Sequence, residues 1–176
     1  GNAVRRFEDP KILRGEAVYF DDLSPTGLAH LVFVRSTIAH ARVTNIDTRE
    51  AETMPGVVAV YTHENIGLEP NLSFAMLPAG FARPPLANGT VRFVGDMVAA
   101  VVAETRAQAV DAAEMVIVDY DPLPVVVDPE AALADGAPIL FPDLATNVAI
   151  EFNFAEADPE LMAEAEVVVS GRFVNQ

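Results

Sequence analysis

Three histidines, two acidic pairs and four serines are the side chains whose types could do chemistry, and their spacing decides which chemistry is open. His30, His40 and His63 stand singly among apolar or hydroxyl neighbours. A zinc site needs histidines that converge, and no pair lies four positions apart or in the HExxH pattern. All three therefore read as structural or surface histidines. Asp21 with Asp22, and Asp119 with Asp121, could hold a divalent cation through oxygen, but neither pair has the further oxygen ligands of a calcium loop. Solvated turns are expected there. Ser24, Ser36, Ser73 and Ser170 lie outside any GxSxG and beside no evident base, which leaves them without the activation a nucleophile needs. Neither GxGxxG nor GxxxxGK[ST] occurs, so the two familiar phosphate cradles are missing. With no Cys, disulfides, thiolate metal sites and a cysteine nucleophile are all excluded, in agreement with a reducing cytoplasm.

The most polar stretch is "RSTIAHAR", residues 35–42. It presents Arg35 and His40 either to an anion or cofactor or merely as the turn between two strands, and the turn is the favoured reading. Gly95 precedes a strand instead of joining a strand to a helix, so it reads as a bulge or tight turn. From spacing, then, no residue is assigned as catalytic, cofactor-binding or metal-binding.

Elements that position these residues follow from pattern. At 176 residues the chain can bury about 70% of its unfolded surface, enough for one domain with a sizeable core or two small ones. Its hydrophobic share of 51% and mean hydropathy of +0.27 exclude disorder as a whole. The longest apolar run, around "MVAAVV", is far below the roughly 20 residues of a membrane span. No basic, then apolar, leader opens the chain, so secretion is not indicated. Net charge is −15 with a single Lys, which argues against nucleic acid and for solubility.

Gly1-Asn2-Ala3 reads as a cloning remnant, and residues 4–23 as an irregular lead-in. "LAHLVFVRS" is nearly continuous in β-formers, which predicts a strand buried on both faces in mid-sheet. A second strand over 42–46 leads to a short helix capped by Asp47 or Thr48 that must stop before Pro55 and Gly56. "VVAVY", 57–61, is a strand, and Thr62 starts one further helical turn. Residues 66–90 hold four prolines and no period, and are expected to lie on a partner or on another part of a larger protein. Residues 91–94 and 97–103 predict a strand pair or a strand bulged at Gly95. Thr105 and Gln108 predict a capping box, opening a helix to about Met115 with Val110, Ala113 and Ile117 on its apolar stripe and Arg106, Asp111 and Glu114 outward. "VIVDYDPLPVVV" resumes β character, with Pro122 and Pro124 forcing an extended edge or a crossing. "TREAETMPGVVAVY" and "TRAQAVDAAEMVIVDY" repeat one grammar, Thr-Arg through helix into strand, read as convergence on a common unit. After Asp128 come one or two helical turns and a Pro-punctuated loop, then an acidic segment, a helix over 158–165 and a strand from Glu166 that runs off the end, as in a truncated chain.

In this order, "RFEDPKILRGEAVYFDDL", "VRSTIAHARV", "MPGVVAVYT", "VRFVGDMVAAVVAETRAQAVDAAEMVIVDYDPLPVVVDPEAAL" and "VVVSGRFVNQ" resemble the N-terminus of the molybdenum-binding large subunit of the xanthine dehydrogenase and aldehyde oxidase family. The resemblance spans residues 5–176 and is closest to the branch with aerobic carbon monoxide dehydrogenase. Its most specific segment is GD-x-VA-x-V-x-AE-[TD]-R-x-x-A-x-DA, beginning at Gly95.

That resemblance implies an α+β fold, the α/β hammerhead: a mixed sheet with a few short packing helices, over residues 4–150. Residues 151–176 would then lead into a molybdopterin-binding domain. It implies no catalytic, cofactor-binding or metal residue within these positions, because the family's molybdenum loops and catalytic glutamate lie further along the chain. The intact enzyme would hydroxylate an aldehyde or N-heterocycle, or oxidise carbon monoxide, using molybdopterin cytosine dinucleotide with molybdenum, and [2Fe–2S] centres and FAD on partner subunits or domains. By this reading the 176 residues are a non-catalytic brace with subunit contacts, inactive alone and prone to self-association. The rival is a stand-alone small-molecule binding module of the same fold.

Overall fold

A computed structural model describes residues 4, 6–72, 74–152, 160, 162–169 and 171. Its ordered centre is built around the most apolar strand, "MVAAVVA", Met97–Ala103. Small and β-branched residues from Val98 to Ala103 let this strand be buried on both faces. Ala99, Val101 and Ala103 face one way and Val98 and Ala100 the other, all within 2% of full burial.

In chain order the elements are α1 (Asp9–Leu13), β1 (His30–Arg35), β2 (Ala41–Asp47), α2 (Arg49–Thr53), β3 (Val57–Tyr61), α3 (His63–Ile66), β4 (Thr90–Val91), β5 (Met97–Ala103), α4 (Arg106–Glu114) and β6 (Ile117–Pro122). Single 3-10 turns punctuate the loops at Phe20–Asp22, Ala79–Phe81, Ala131–Leu133 and Pro142–Leu144. The strands form two three-stranded sheets, ordered β1-β5-β3 and β4-β2-β6. The α+β class and the few short packing helices hold. The expected mixed sheet resolves into two sheets whose described pairings are all antiparallel.

Every connection between consecutive strands changes sheet, and two of these crossings carry a helix that packs on the first sheet. β2, α2 and β3 run from the second sheet to the first, and β5, α4 and β6 run back. These are the two stretches whose Thr-Arg openings match in sequence. Their helices pack together over the first sheet, where Ala51 of α2 and Ala112 of α4 join Val60, Ala99, Val101 and Val116 in one core. A second core, Ala41, Ala87, Val91 and Val98, lies where β2 and β4 meet β5, and Ile46 and Val118 touch both cores.

Several expectations change. "LAHLVFVRS" gives β1, an edge strand: Val32 and Val34 turn inward while Leu31 and Phe33 remain half exposed. On α4 the buried face is Ala109 and Ala112, with Val110 40% exposed. Close approach to a sheet favours the smaller side chain, so the larger apolar residue is the one displaced outward; Arg106, Asp111 and Glu114 do face solvent. The capping box is half made. Gln108 N–H donates to Thr105 Oγ1 (3.3 Å), but the Gln108 side chain accepts from the same hydroxyl (2.9 Å) and does not return to the cap's own N–H. Its amide lies against Gly56, where φ is +77° and a Cβ would overlap it, so the turn out of α2 rests on the first turn of α4. Residues 91 and 97–103 are not a strand pair, since β4 and β5 belong to different sheets. The chain changes sheet through 92–96, with Gly95 at φ +98°. Loop 66–90 rests in part on its own chain: Asn71 and Arg83 exchange backbone hydrogen bonds at 3.0 Å, and Leu86 is buried. The remnant at 1–3 lies outside the described residues, as do 158, 159, 161, 170 and 172–174; the described residues of the helix and strand expected over 158–174, namely 160, 162–169 and 171, form turns and irregular chain, neither helix nor strand. Val167, Val168 and Val169 are described, and are exposed outside any strand.

Three elements fall where pattern placed them: β3 at Val57–Tyr61, the turn α3 capped by Thr62, and β6 as a sheet edge. Asp47, not Thr48, caps α2, accepting from Arg49 N (3.1 Å) and Arg49 Nε (2.9 Å). These bonds pull the Asp47 carboxyl from the ordinary 3.8 down to about 2. A depressed pKa contributes stability that is fully present above the unfolded value and is lost as pH falls through the folded one. The Asp47–Arg49 contribution should therefore disappear between about pH 4 and pH 2. A carboxyl-carbon NMR titration should place the Asp47 midpoint near 2, and Arg49→Gln should return it toward 3.8. A wild-type midpoint already near 3.8 would refute the cap.

Candidate functional surfaces

The octet at 35–42 is the turn from β1 to β2, and its polar groups are spent on that turn. Ser36 is buried, donates through Oγ to Ile38 O (2.7 Å) and accepts from Ile38 N (3.1 Å). Arg35 donates to Gly95 O (2.9 Å) and lies over the Phe33 ring. His40 is 8% exposed, and its Nδ1–H donates to Pro124 O (2.7 Å), tying the start of β2 to the chain leaving β6. Burial pushes the Tyr120 hydroxyl up, against its hydrogen bond to Ser36.

Other residues singled out by type are similarly occupied. Asp22 accepts from Tyr19 N, Asp119 from Asn45 Nδ2, and Asp121 pairs with Arg42. Ser24 is exposed, whereas Ser73 and Ser170 lie outside the described residues. The histidines stay apart: His30 borders a cleft of about 720 Å3 under the lead-in, His40 one of about 340 Å3, and His63 one of about 320 Å3. His63 Nδ1 is buried with no hydrogen-bond partner among the described residues.

Arg92 went unnoticed in the sequence. Its Nε donates to Leu140 O (2.8 Å), and its guanidinium stacks 4.6 Å from the centre of the Phe141 ring, which meets Phe81 edge-on. This pins loops 79–81 and 140–144 to the end of β4. The one local signal was a lone Arg amid "VRFV"; its partners are 48 positions away.

Two apolar surfaces are only partly covered. On the face of the first sheet turned away from α4, the register aligns Leu31, Val102 and Ala59 in one row and Phe33, Ala100 and Tyr61 in the next. Leu31, Phe33 and Tyr61 are 51%, 36% and 37% exposed. The lead-in adds Phe7, Leu13, Val18, Tyr19 and Phe20, all exposed, and α1 buries none of its residues. The sequence offers no thiolate for the iron–sulfur groups implied by the resemblance. No three of His, Asp or Glu among the described residues gather as a metal-binding group. No described helix is long and apolar enough to cross a membrane.

Residues 14–124 match the family described as aldehyde oxidase and xanthine dehydrogenase, a/b hammerhead domain. This interval contains every strand of both sheets. Among relatives, the carbon monoxide dehydrogenase large chain of Afipia carboxidovorans is 44% identical over 141 residues, 80% of this chain and 17% of its own length. The xanthine dehydrogenase molybdenum-binding subunit of Escherichia coli O157:H7 is 38% identical over 135 residues, 71% of this chain and 18% of its own. Quinoline 2-oxidoreductase from Pseudomonas putida 86 superposes with a TM-score of 0.73 at 39% identity, over 85% of this chain and 20% of that one. The chain thus spans about a fifth of the length of the relatives it matches. With the family's interval covering both sheets and both helix-strand units, the chain belongs to the aldehyde oxidase and xanthine dehydrogenase a/b hammerhead family.

Proposed function

We propose that this chain serves as the non-catalytic hammerhead portion, residues 4–150, of a cytoplasmic molybdenum hydroxylase large subunit, and that 151–176 lead into its molybdopterin-binding domain. The observation that carries the proposal is the apolar surface left open on the flanking strands of the first sheet at Leu31, Phe33 and Tyr61, continued by the apolar lead-in. Monomeric proteins rarely leave such area in water, and a larger body packed against it accounts for the exposure. Deprived of that body, the same face favours self-association of the 176-residue chain.

In this reading the intact enzyme oxidises or hydroxylates a small substrate, an aldehyde, an N-heterocycle or carbon monoxide. Molybdenum, held as molybdopterin cytosine dinucleotide by other domains, supplies the two-electron chemistry, and iron–sulfur and FAD partner subunits take the electrons. The chain's own residues brace and contact, outside the molybdenum chemistry. The purified chain, given an aldehyde and a tetrazolium dye, should show no turnover above the buffer blank. Dye reduction that scales with protein would reject the proposal in favour of an activity resident in these residues.

A further inference from the structure

The cleft of about 340 Å3 beside Arg92 is independent of that reading. Its walls are Val94, Val125, Val127 and Leu140, with His40 fixed in place by Pro124 O and Arg92 as the charged group. Three other arginines, Arg14, Arg42 and Arg49, have carboxylate partners within 4 Å. Arg92 has none among the described residues: its side chain donates to two backbone carbonyls, Leu140 O at 2.8 Å and Thr90 O at 3.4 Å. Nη2 makes no hydrogen bond among them. Burial disfavours its charge, Arg83 adds a second positive charge nearby, and Asp96 offsets them only in part, its carboxylate already accepting from Arg92's backbone N–H. A partly desolvated cation with an unused edge, set in a valine-walled cleft, matches one ligand chemistry.

We propose that the cleft bounded by His40, Arg92 and residues 125–127 binds a carboxylate carried on a compact apolar body. The carboxylate takes the free edge of the Arg92 guanidinium, and the apolar body lies on Val94, Val125 and Val127. Such a group has two sources, a free small acid or an acidic side chain flanked by apolar residues on a neighbouring polypeptide.

The test is a proton–nitrogen NMR titration of the 176-residue chain with isovalerate, with the acetyl-Val-Glu-Val amide peptide, and with isoamyl alcohol, which keeps the body and lacks the charge. Saturable shifts centred on the amides of Arg92, Val94, Val127 and Leu140 are expected with isovalerate or the peptide, and binding at least about tenfold weaker with the alcohol. Tighter binding of isovalerate points to a free acid, and tighter binding of the peptide to a polypeptide side chain. Val127 is 84% exposed, so Val127→Asp should leave the fold intact while its own carboxylate blocks the cleft and abolishes the shifts. The proposal is overturned if neither acid shifts these amides, if the alcohol binds equally well, or if V127D binds the acid unchanged.

Discussion

Ala112→Leu should cost about 2–3 kcal/mol of stability, read from the midpoint of urea unfolding. Ala112 has no exposed surface, and it sits where α4 crosses both the first sheet and α2, against Ala51, Ala99 and Val101. Three added carbons there find no space unless α4 lifts from the sheet, which would also loosen Val116 and the start of β6. Val110→Ala, two positions earlier and 40% exposed, should change the midpoint by no more than about 0.5 kcal/mol. By hydrophobicity the ranking would be reversed, with Val110 the core residue. Comparable losses at the two sites would mean that α4 is rotated from the orientation described.

His40→Ala should cost about 2 kcal/mol, because it removes a buried ring and leaves Pro124 O without its donor. The hydrogen bond spans 84 positions and joins the first residue before β2 to the chain after β6, where Leu123 N–H also donates to His40 O (3.0 Å). The exposed Arg35→Gln, in the same octet, should stay within about 0.5 kcal/mol. An unchanged unfolding midpoint in H40A would show that the histidine is not structural, and would reopen the octet as a binding element.

Punctuation made part of the fold legible in the sequence. Pro55-Gly56 and Thr62 bound β3 to the residue, since a proline that cannot continue a helix and a hydroxyl that caps one act within a few positions. Non-local facts were not legible. Leu31 and Phe33 read as interior because an apolar strand looks the same whether its outer face is covered by its own domain or left open. The rotation of α4 was missed because close packing selects Ala over Val, and hydropathy scores the reverse. The change of sheet at 92–96 depends on which strands are available to pair, which no local window contains. The family-bearing segment from Gly95 to Ala112 was readable as a strand followed by a helix, and these two elements hold the main core. The surfaces were less visible: Arg92 acquires its meaning from Leu140 and Phe141, and loop 66–90 from Phe141 and Leu144.

The two helix-strand units that cross between the sheets in opposite directions also constrain the order of assembly during synthesis. The first sheet needs residues 30–35, 57–61 and 97–103, and the second needs 41–47, 90–91 and 117–122. No contiguous early portion closes either sheet, and the pairings that do so are long in sequence separation, hence slow. A nascent chain emerging from the ribosome must keep β1 and β3 unpaired until β5 has cleared the exit tunnel, and the longer edge of β2 open until β6 has. Through that interval its open, apolar strand edges depend on chaperones or on the strong negative charge of the chain to stay apart.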